Sequence, residues 1–105
     1  MEKKRSNQID TKRLKAIGHK LHPLVTVGDK GLTNNVMSEI LRALSDHELI
    51  KITVKHPDRD EKRQMMQSIC DSSGATLVQT VGHVALIYKA NPEPNPRLSN
   101  ILRNL

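Results

Sequence analysis

The chain has 105 residues, enough for one domain with a modest core, and a net charge of +6 from 17 lysines and arginines against 11 acidic residues. No apolar run approaches the roughly 20 residues of a membrane helix, the basic start lacks the apolar stretch of a secretory signal, and the lone Cys70 excludes an internal disulfide. The lone cysteine and the lack of a secretory signal fit a reducing compartment, and we expect a cytoplasmic protein. With no tryptophan, no phenylalanine and one tyrosine, the composition argues against a platform that stacks unpaired bases.

The first half of the chain predicts two helices and two strands. The expected elements are a helix from near Ser6 or Asp10 to Gly18, a strand over 24–27, a helix over about 34–46 and a strand over 48–55. Thr33 is placed to cap the second helix. Its apolar stripe consists of Val36, Met37, Ile40, Leu41 and Leu44. The strand over 48–55 alternates, which predicts that Lys51 and Lys55 face solvent.

The second half predicts a third helix and a hairpin. Asp58, three residues before Glu61, is typical of a helix start, Gly74 of a helix end, and two strands flank Gly82. The order α-β-α-β-α-β-β indicates an α/β fold: a single compact domain with a mixed four-stranded sheet and packed helices. We expect this domain to span residues 1–90, with a basic extension over 1–8. Residues 91–105 form a Pro-rich tail whose Ile101, Leu102 and Leu105 either dock as a last turn or stay loose.

The segment V-T-V-G-D-K-G-L-T places Gly28, Asp29, Lys30 and Gly31 between a strand and a helix. Backbone amides before a helix N-terminus, together with Lys30, make a cradle for an anion. The longer loop of nucleotide hydrolases is absent, and the third glycine of a dinucleotide fingerprint is replaced by Asn34. We therefore expect no enzyme activity, no cofactor and no small-molecule substrate.

Positive charge is concentrated near this loop. Residues 1–31 hold eight lysines and arginines against three acids. Among them, the first helix and its exit contribute Lys12, Arg13, Lys15 and Lys20. A basic surface of this kind is typical of a protein that binds a polyanion.

The residues around the loop resemble the CRM domain (chloroplast RNA splicing and ribosome maturation), in particular its stand-alone bacterial YhbY-like form. The similarity includes a His-x-Leu-x-Pro turn ending at Pro23, the V-x-V-G-x-x-G-L-T loop, and H-E-L-I-K over 47–51. It covers most of the chain, to about Tyr88. Two positions depart from the usual pattern: His22 stands where the family often has a lysine, and Asp29 puts an acid into the loop.

The resemblance implies an RNA-binding domain with a fold similar to the C-terminal domain of bacterial translation initiation factor three. It further implies contact with ribosomal RNA in precursors of the large ribosomal subunit, through the GxxG loop. The expected RNA-binding residues are Gly28, Asp29, Lys30, Gly31, Lys12, Arg13, Lys15, Lys20 and His22, with Lys51 and Lys55 at the rim. Contacts to phosphates and to RNA shape are expected to outweigh contacts to bases.

Three other hypotheses concern the histidines, the basic face and the C-terminal tail. A metal site at His19, His22 and Asp29 is disfavoured because nothing in the spacing fixes its geometry, and His47 is better explained as a group at a helix end than as an acid–base catalyst. The alternative function is a protein–protein adaptor, in which the basic face meets an acidic partner and the C-terminal tail supplies apolar anchors.

Overall fold

The computed structural model describes residues 10–104; the basic extension over 1–8 and Leu105 lie outside the described residues. The elements in chain order are α1 (Thr11–Gly18), β1 (Pro23–Val27), α2 (Asn34–His47), β2 (Leu49–Val54), α3 (Arg59–Ser73), β3 (Thr76–Val81) and β4 (Val84–Tyr88), followed by a short 3-10 turn (Leu102–Asn104). The predicted order α-β-α-β-α-β-β is confirmed. No helix in this part of the chain is long and apolar enough to cross a membrane.

The helix ends are set by local side chains and one glycine. Each helix begins at a residue whose side chain accepts a hydrogen bond from an amide in the first turn: Asp10 for α1, Thr33 for α2 and Asp58 for α3. Gly74 ends α3 with a φ of 80°, which a residue with a Cβ adopts only at a cost. The capping predictions for Thr33, Asp58 and Gly74 are therefore confirmed.

The sheet is mixed and has the strand order β1-β2-β4-β3. β1 and β2 are parallel, while β4 is antiparallel to both β2 and β3. The carboxyl ends of β1, β2 and β3 and the start of β4 therefore lie at one edge of the sheet, which we call the carboxyl edge. The loops that follow β1 and β2, and the β3–β4 turn, meet there.

Both faces of the sheet are covered, by different elements. On one face, α2 and α3 enclose the main core, which includes Ile40, Leu44, Ile52, Ile69 and Ile87. On the other face, α1 and the C-terminal segment cover a smaller core of Leu14, Ile17, Leu49, Leu86 and Ile101. α1 lies very close to the sheet, since a Cβ built on Gly18 would be 2.5 Å from Cδ2 of Leu86.

Two sequence expectations about side-chain orientation are corrected. Lys51 does not simply face solvent: it is half-buried under α1, and its Nζ donates a hydrogen bond to the carbonyl oxygen of Leu21 at 3.1 Å. Leu41, expected in the buried stripe of α2, is 40% exposed, whereas Ala43 is buried in its place. The apolar face of α2 is rotated toward Ala43 because this is the side that meets the sheet.

The Pro-rich segment after residue 90 is docked against the domain rather than extended into solvent. Asn91 and Ser99 both donate hydrogen bonds to the buried carboxylate of Glu48, and Ile101 is buried in the smaller core. His47 at the end of α2 uses Nδ1 to bond the carbonyl oxygen of Leu98 at 2.9 Å. Of the two states considered for Ile101, the structure has the docked one.

Candidate nucleic-acid interface

The glycine loop, Gly28–Gly31, is a tight turn between β1 and α2. The Gly31 amide donates a hydrogen bond to the carbonyl oxygen of Gly28 at 2.9 Å, and Gly31 has a φ of 74°. Glycine is therefore needed at position 31 for the turn itself. Gly28 is different: a Cβ built there would meet no atom of residues 10–104 within 4 Å, so neither packing against them nor a positive φ requires glycine. Its missing side chain leaves open space beside the main chain.

The loop presents unused hydrogen-bond donors. The amides of Asp29, Lys30 and Leu32 donate no hydrogen bond to any part of residues 10–104. They precede the N-terminus of α2, where Thr33 satisfies only the amide of Val36 with its hydroxyl group. Free amides and the positive end of a helix dipole favour an anion at this position.

The side chains of the loop add no net charge of their own. Asp29 and Lys30 are both exposed, and neither forms an ion pair with another described residue. Their charges offset each other, so the attraction for an anion depends on the amides and on nearby cations. Asp29 is the group in the loop that opposes this attraction.

The carboxyl edge supplies those cations. Lys55, which is exposed, follows β2 directly, and its amide donates to the carbonyl oxygen of Val27 at the end of β1. Further along the edge, Nζ of Lys62 lies 3.4 Å from Nδ1 of His83, in the β3–β4 turn. α3 lies beside the loop as well, since the Cε of Met65 would be 3.9 Å from a Cβ on Gly31.

Lys62 and His83 were not singled out from the sequence. Lys62 is one turn inside α3 and His83 lies in a hairpin turn, so nothing in their local sequence distinguishes them. The predicted order of helices and strands could have identified them, because it places the start of α3 and the β3–β4 turn at the same edge of the sheet as the glycine loop.

The predicted residues on α1 and in the segment between α1 and β1 lie in a different place. Lys12, Arg13, Lys15, Lys20 and His22 are all exposed. Nη2 of Arg13 donates to the carbonyl oxygen of Asn104 at 2.9 Å, which joins α1 to the C-terminal turn. A surface groove of about 460 Å³ runs between α1 and the C-terminal turn. It is lined by Asp10, Lys12, Arg13, Ala16, Ile17, Lys20 and Asn104.

The predicted site therefore has two parts. His22 precedes β1 and Gly28 follows it, so the five-residue strand, about 16 Å long, separates them. The glycine loop and Lys55 lie at the carboxyl edge, whereas the cations of α1 lie toward the other end of β1, on the face opposite α2 and α3. Lys51 lies between the two parts, but its ammonium group is partly occupied by Leu21.

Comparison with known proteins places the chain in a family. The CRS1 / YhbY (CRM) domain matches residues 7–89. The chain is 46% identical over 96 residues to the Pseudomonas aeruginosa protein named "Probable RNA-binding protein PA4753", covering 91% of this chain and 92% of that one. It is 40% identical over 85 residues to a Haemophilus influenzae protein named "RNA-binding protein", covering 81% and 86% of the two chains.

A solved structure agrees in fold. The solution structure of the hypothetical protein SAV1595 from Staphylococcus aureus superposes with a TM-score of 0.71 at 26% sequence identity, covering 79% of this chain and 86% of that one. The two curated relatives are named for RNA binding, and neither name includes a reaction. The family match covers most of the chain and includes the glycine loop, and we conclude that this protein belongs to the CRS1/YhbY (CRM) domain family.

Proposed function

We propose that this protein binds RNA, with the glycine loop as the primary contact. The observation that carries the proposal is the open space at Gly28 beside the unused amides of Asp29 and Lys30. A main chain without side-chain bulk lets a phosphate approach the amides directly, and Lys30 and Lys55 add charge at the same edge. The names of the relatives support the same class of ligand.

The contacts in this proposal are made to the RNA backbone. Phosphate contacts position a protein on its target without reading base identity. Because the chain contains one aromatic residue, stacking on unpaired bases contributes little, and the shape of a folded RNA determines where the protein binds. In this proposal a second basic surface is formed by Lys12, Arg13 and Lys15 on α1 and by Lys20 and His22 in the segment that follows it.

We further infer from the resemblance that the RNA is ribosomal, in precursors of the large ribosomal subunit, and that the protein acts there as an assembly factor in the cytoplasm. The adaptor alternative loses one of its apolar anchors, because Ile101 is buried within the domain. An exposed basic face remains available to either function, so binding has to be measured directly.

Crosslinking in cells tests this proposal. The tagged protein is crosslinked by ultraviolet light, and the attached RNA is sequenced beside that of a Lys30→Ala variant. Reads enriched in large-subunit ribosomal RNA and reduced in the variant are expected. Reads spread evenly over all transcripts would reject the ribosomal assignment, and a lack of crosslinked RNA would reject RNA binding.

A further inference from the structure

A row of four side chains crosses the sheet beside the carboxyl edge. The strand register pairs Thr26 with Thr53, Thr53 with Val84, and Val84 with Val81. Residues paired in this way project from the same face. They lie on the face of α1, because the neighbouring row, Val25, Ile52 and Ala85, is buried on the face of α2 and α3. We call Thr26, Thr53, Val84 and Val81 the open row.

α1 stops short of the open row. Its last residue, Gly18, lies on Leu86, which pairs with Lys51 in the row beneath it. The open row comes two residues later along β2, beyond the last residue of α1. Val81 is accordingly 66% exposed, Thr26 is exposed, and Thr53 and Val84 are half-buried.

The open row carries no charge, but it adjoins the candidate site. Thr26 is two residues from Gly28, and Lys55 is two residues beyond Thr53 on the same side of β2. The open row is therefore close enough to the glycine loop for an RNA backbone held at the loop to extend over it. Because the open row is uncharged, it suits the neighbouring sugar of that backbone better than another phosphate.

The two threonines provide the matching chemistry. Neither hydroxyl group forms a side-chain hydrogen bond within residues 10–104. Each hydroxyl group both donates and accepts, as does the ribose 2′-hydroxyl. Val81 and Val84 add apolar surface for the sugar carbons.

We propose that the open row is the ribose-contacting surface of this protein: the hydroxyl groups of Thr26 and Thr53 bond ribose 2′-hydroxyls and thereby favour RNA over DNA. This inference rests on the proposed function, because it needs a phosphate held at the glycine loop. It means that residues outside the glycine loop distinguish ribose from deoxyribose.

Replacing hydroxyl by methyl tests the inference. Thr26→Val, Thr53→Val and the double variant are titrated against an RNA hairpin and against a DNA hairpin of the same sequence. Valine has the shape of threonine and favours strands, so folding is retained, and thermal unfolding checks this. Thr80→Val is the matched control, because Thr80 is exposed but pairs with Ala85, whose row faces the opposite side.

The expected result is a loss of about 3- to 10-fold in RNA affinity for each hydroxyl group, with DNA affinity unchanged. The salt dependence of binding stays the same, because no charge is removed. If the folded double variant has an unchanged ratio of RNA to DNA affinity, the inference about the open row is overturned. If Lys30→Ala nevertheless weakens the binding of both nucleic acids, the proposed function of the glycine loop still stands. If the wild-type protein binds neither hairpin, both proposals fail.

Discussion

Ser99 and Glu48 form a buried hydrogen bond of 2.6 Å between the serine hydroxyl group and the glutamate carboxylate. It joins the C-terminal segment to the junction of α2 and β2. The other carboxylate oxygen accepts from the amide of Asn91, at 2.7 Å. Glu48 has a φ of 63°, which is uncommon for a residue with a side chain, and this network holds it there. The C-terminal segment, which lies beyond the family match, is thus hydrogen-bonded to Glu48, which lies within that match.

Ser99→Ala removes the donor to this carboxylate and also the acceptor for the amides of Ile101 and Leu102. We expect the free energy of unfolding to fall by about 1–3 kcal/mol, because buried polar groups lose their partners. Urea denaturation measures the loss, and Ser72→Ala on the exposed side of α3 is the control. Equal stability of the two variants would contradict the docked arrangement.

Ile101→Ala tests the smaller core. Ile101 is 5% exposed against Leu14, Leu49 and Leu86, and truncation of a buried isoleucine costs about 2–4 kcal/mol. Leu102→Ala, in the same turn but 36% exposed, is expected to cost much less. The measurement is the denaturation midpoint of each variant at equal denaturant slope. Similar small losses for both would mean that the segment is undocked in solution and available to a partner.

Gly28→Ala separates the fold from the function. Because a Cβ at Gly28 meets nothing within 4 Å, stability is expected to stay within about 1 kcal/mol of the wild type, while RNA affinity falls as the methyl group blocks the main chain. Gly31→Ala, at a φ of 74°, is expected to lower stability instead. Filter binding and thermal unfolding of both variants check this. RNA affinity of Gly28→Ala equal to that of the wild type would show that the loop is not approached closely.

Alkaline pH is expected to destabilise the protein through Cys70 and Tyr88. Burial, and to a lesser extent Asp71, raises the pKa of the Cys70 thiol from 9.0 to about 11; burial and then Glu48 raise the pKa of Tyr88 above its usual 10.0. The unfolded chain therefore loses these protons first, so stability is complete below pH 9 and declines toward pH 11.

The share of Cys70 in this decline is at most about 3 kcal/mol. Cys70→Ala should flatten the decline and leave the part due to Tyr88, as measured by unfolding from pH 8 to 11. Identical pH profiles of the wild type and the variant would contradict the assignment to Cys70.

Elements whose signals are local were predictable from the sequence. The caps at Thr33 and Asp58 and the stop at Gly74 depend on residues within three positions of a helix end, and all three are as expected. Orientation relative to distant elements was not. Lys51 alternates as a solvent-facing lysine does, but it is half-buried and bonds the carbonyl oxygen of Leu21, in the segment that follows α1.

The C-terminal segment was ambiguous for a similar physical reason. Its prolines disfavour regular structure, and its docking depends on Glu48, more than 40 residues away, which has no local signal. The site was also only partly predictable. Sequence proximity and charge identified the glycine loop and the α1 cations, but the length of β1 places them apart. Lys62 and the open row lie near the glycine loop only because of the order and direction of the strands in the sheet.

The salt dependence of RNA binding tests directly whether the glycine loop and Lys30 hold phosphates. The RNA hairpin is titrated at several salt concentrations with the wild type, Lys30→Ala and Arg42→Ala, the last removing one exposed positive charge from α2, where Arg42 pairs with Asp46. The expected result is a steep fall of affinity with salt for the wild type, a slope smaller by about 1 together with weaker binding for Lys30→Ala, and no change for Arg42→Ala. A salt-independent affinity, or a Lys30→Ala variant that binds as Arg42→Ala does, would contradict the account.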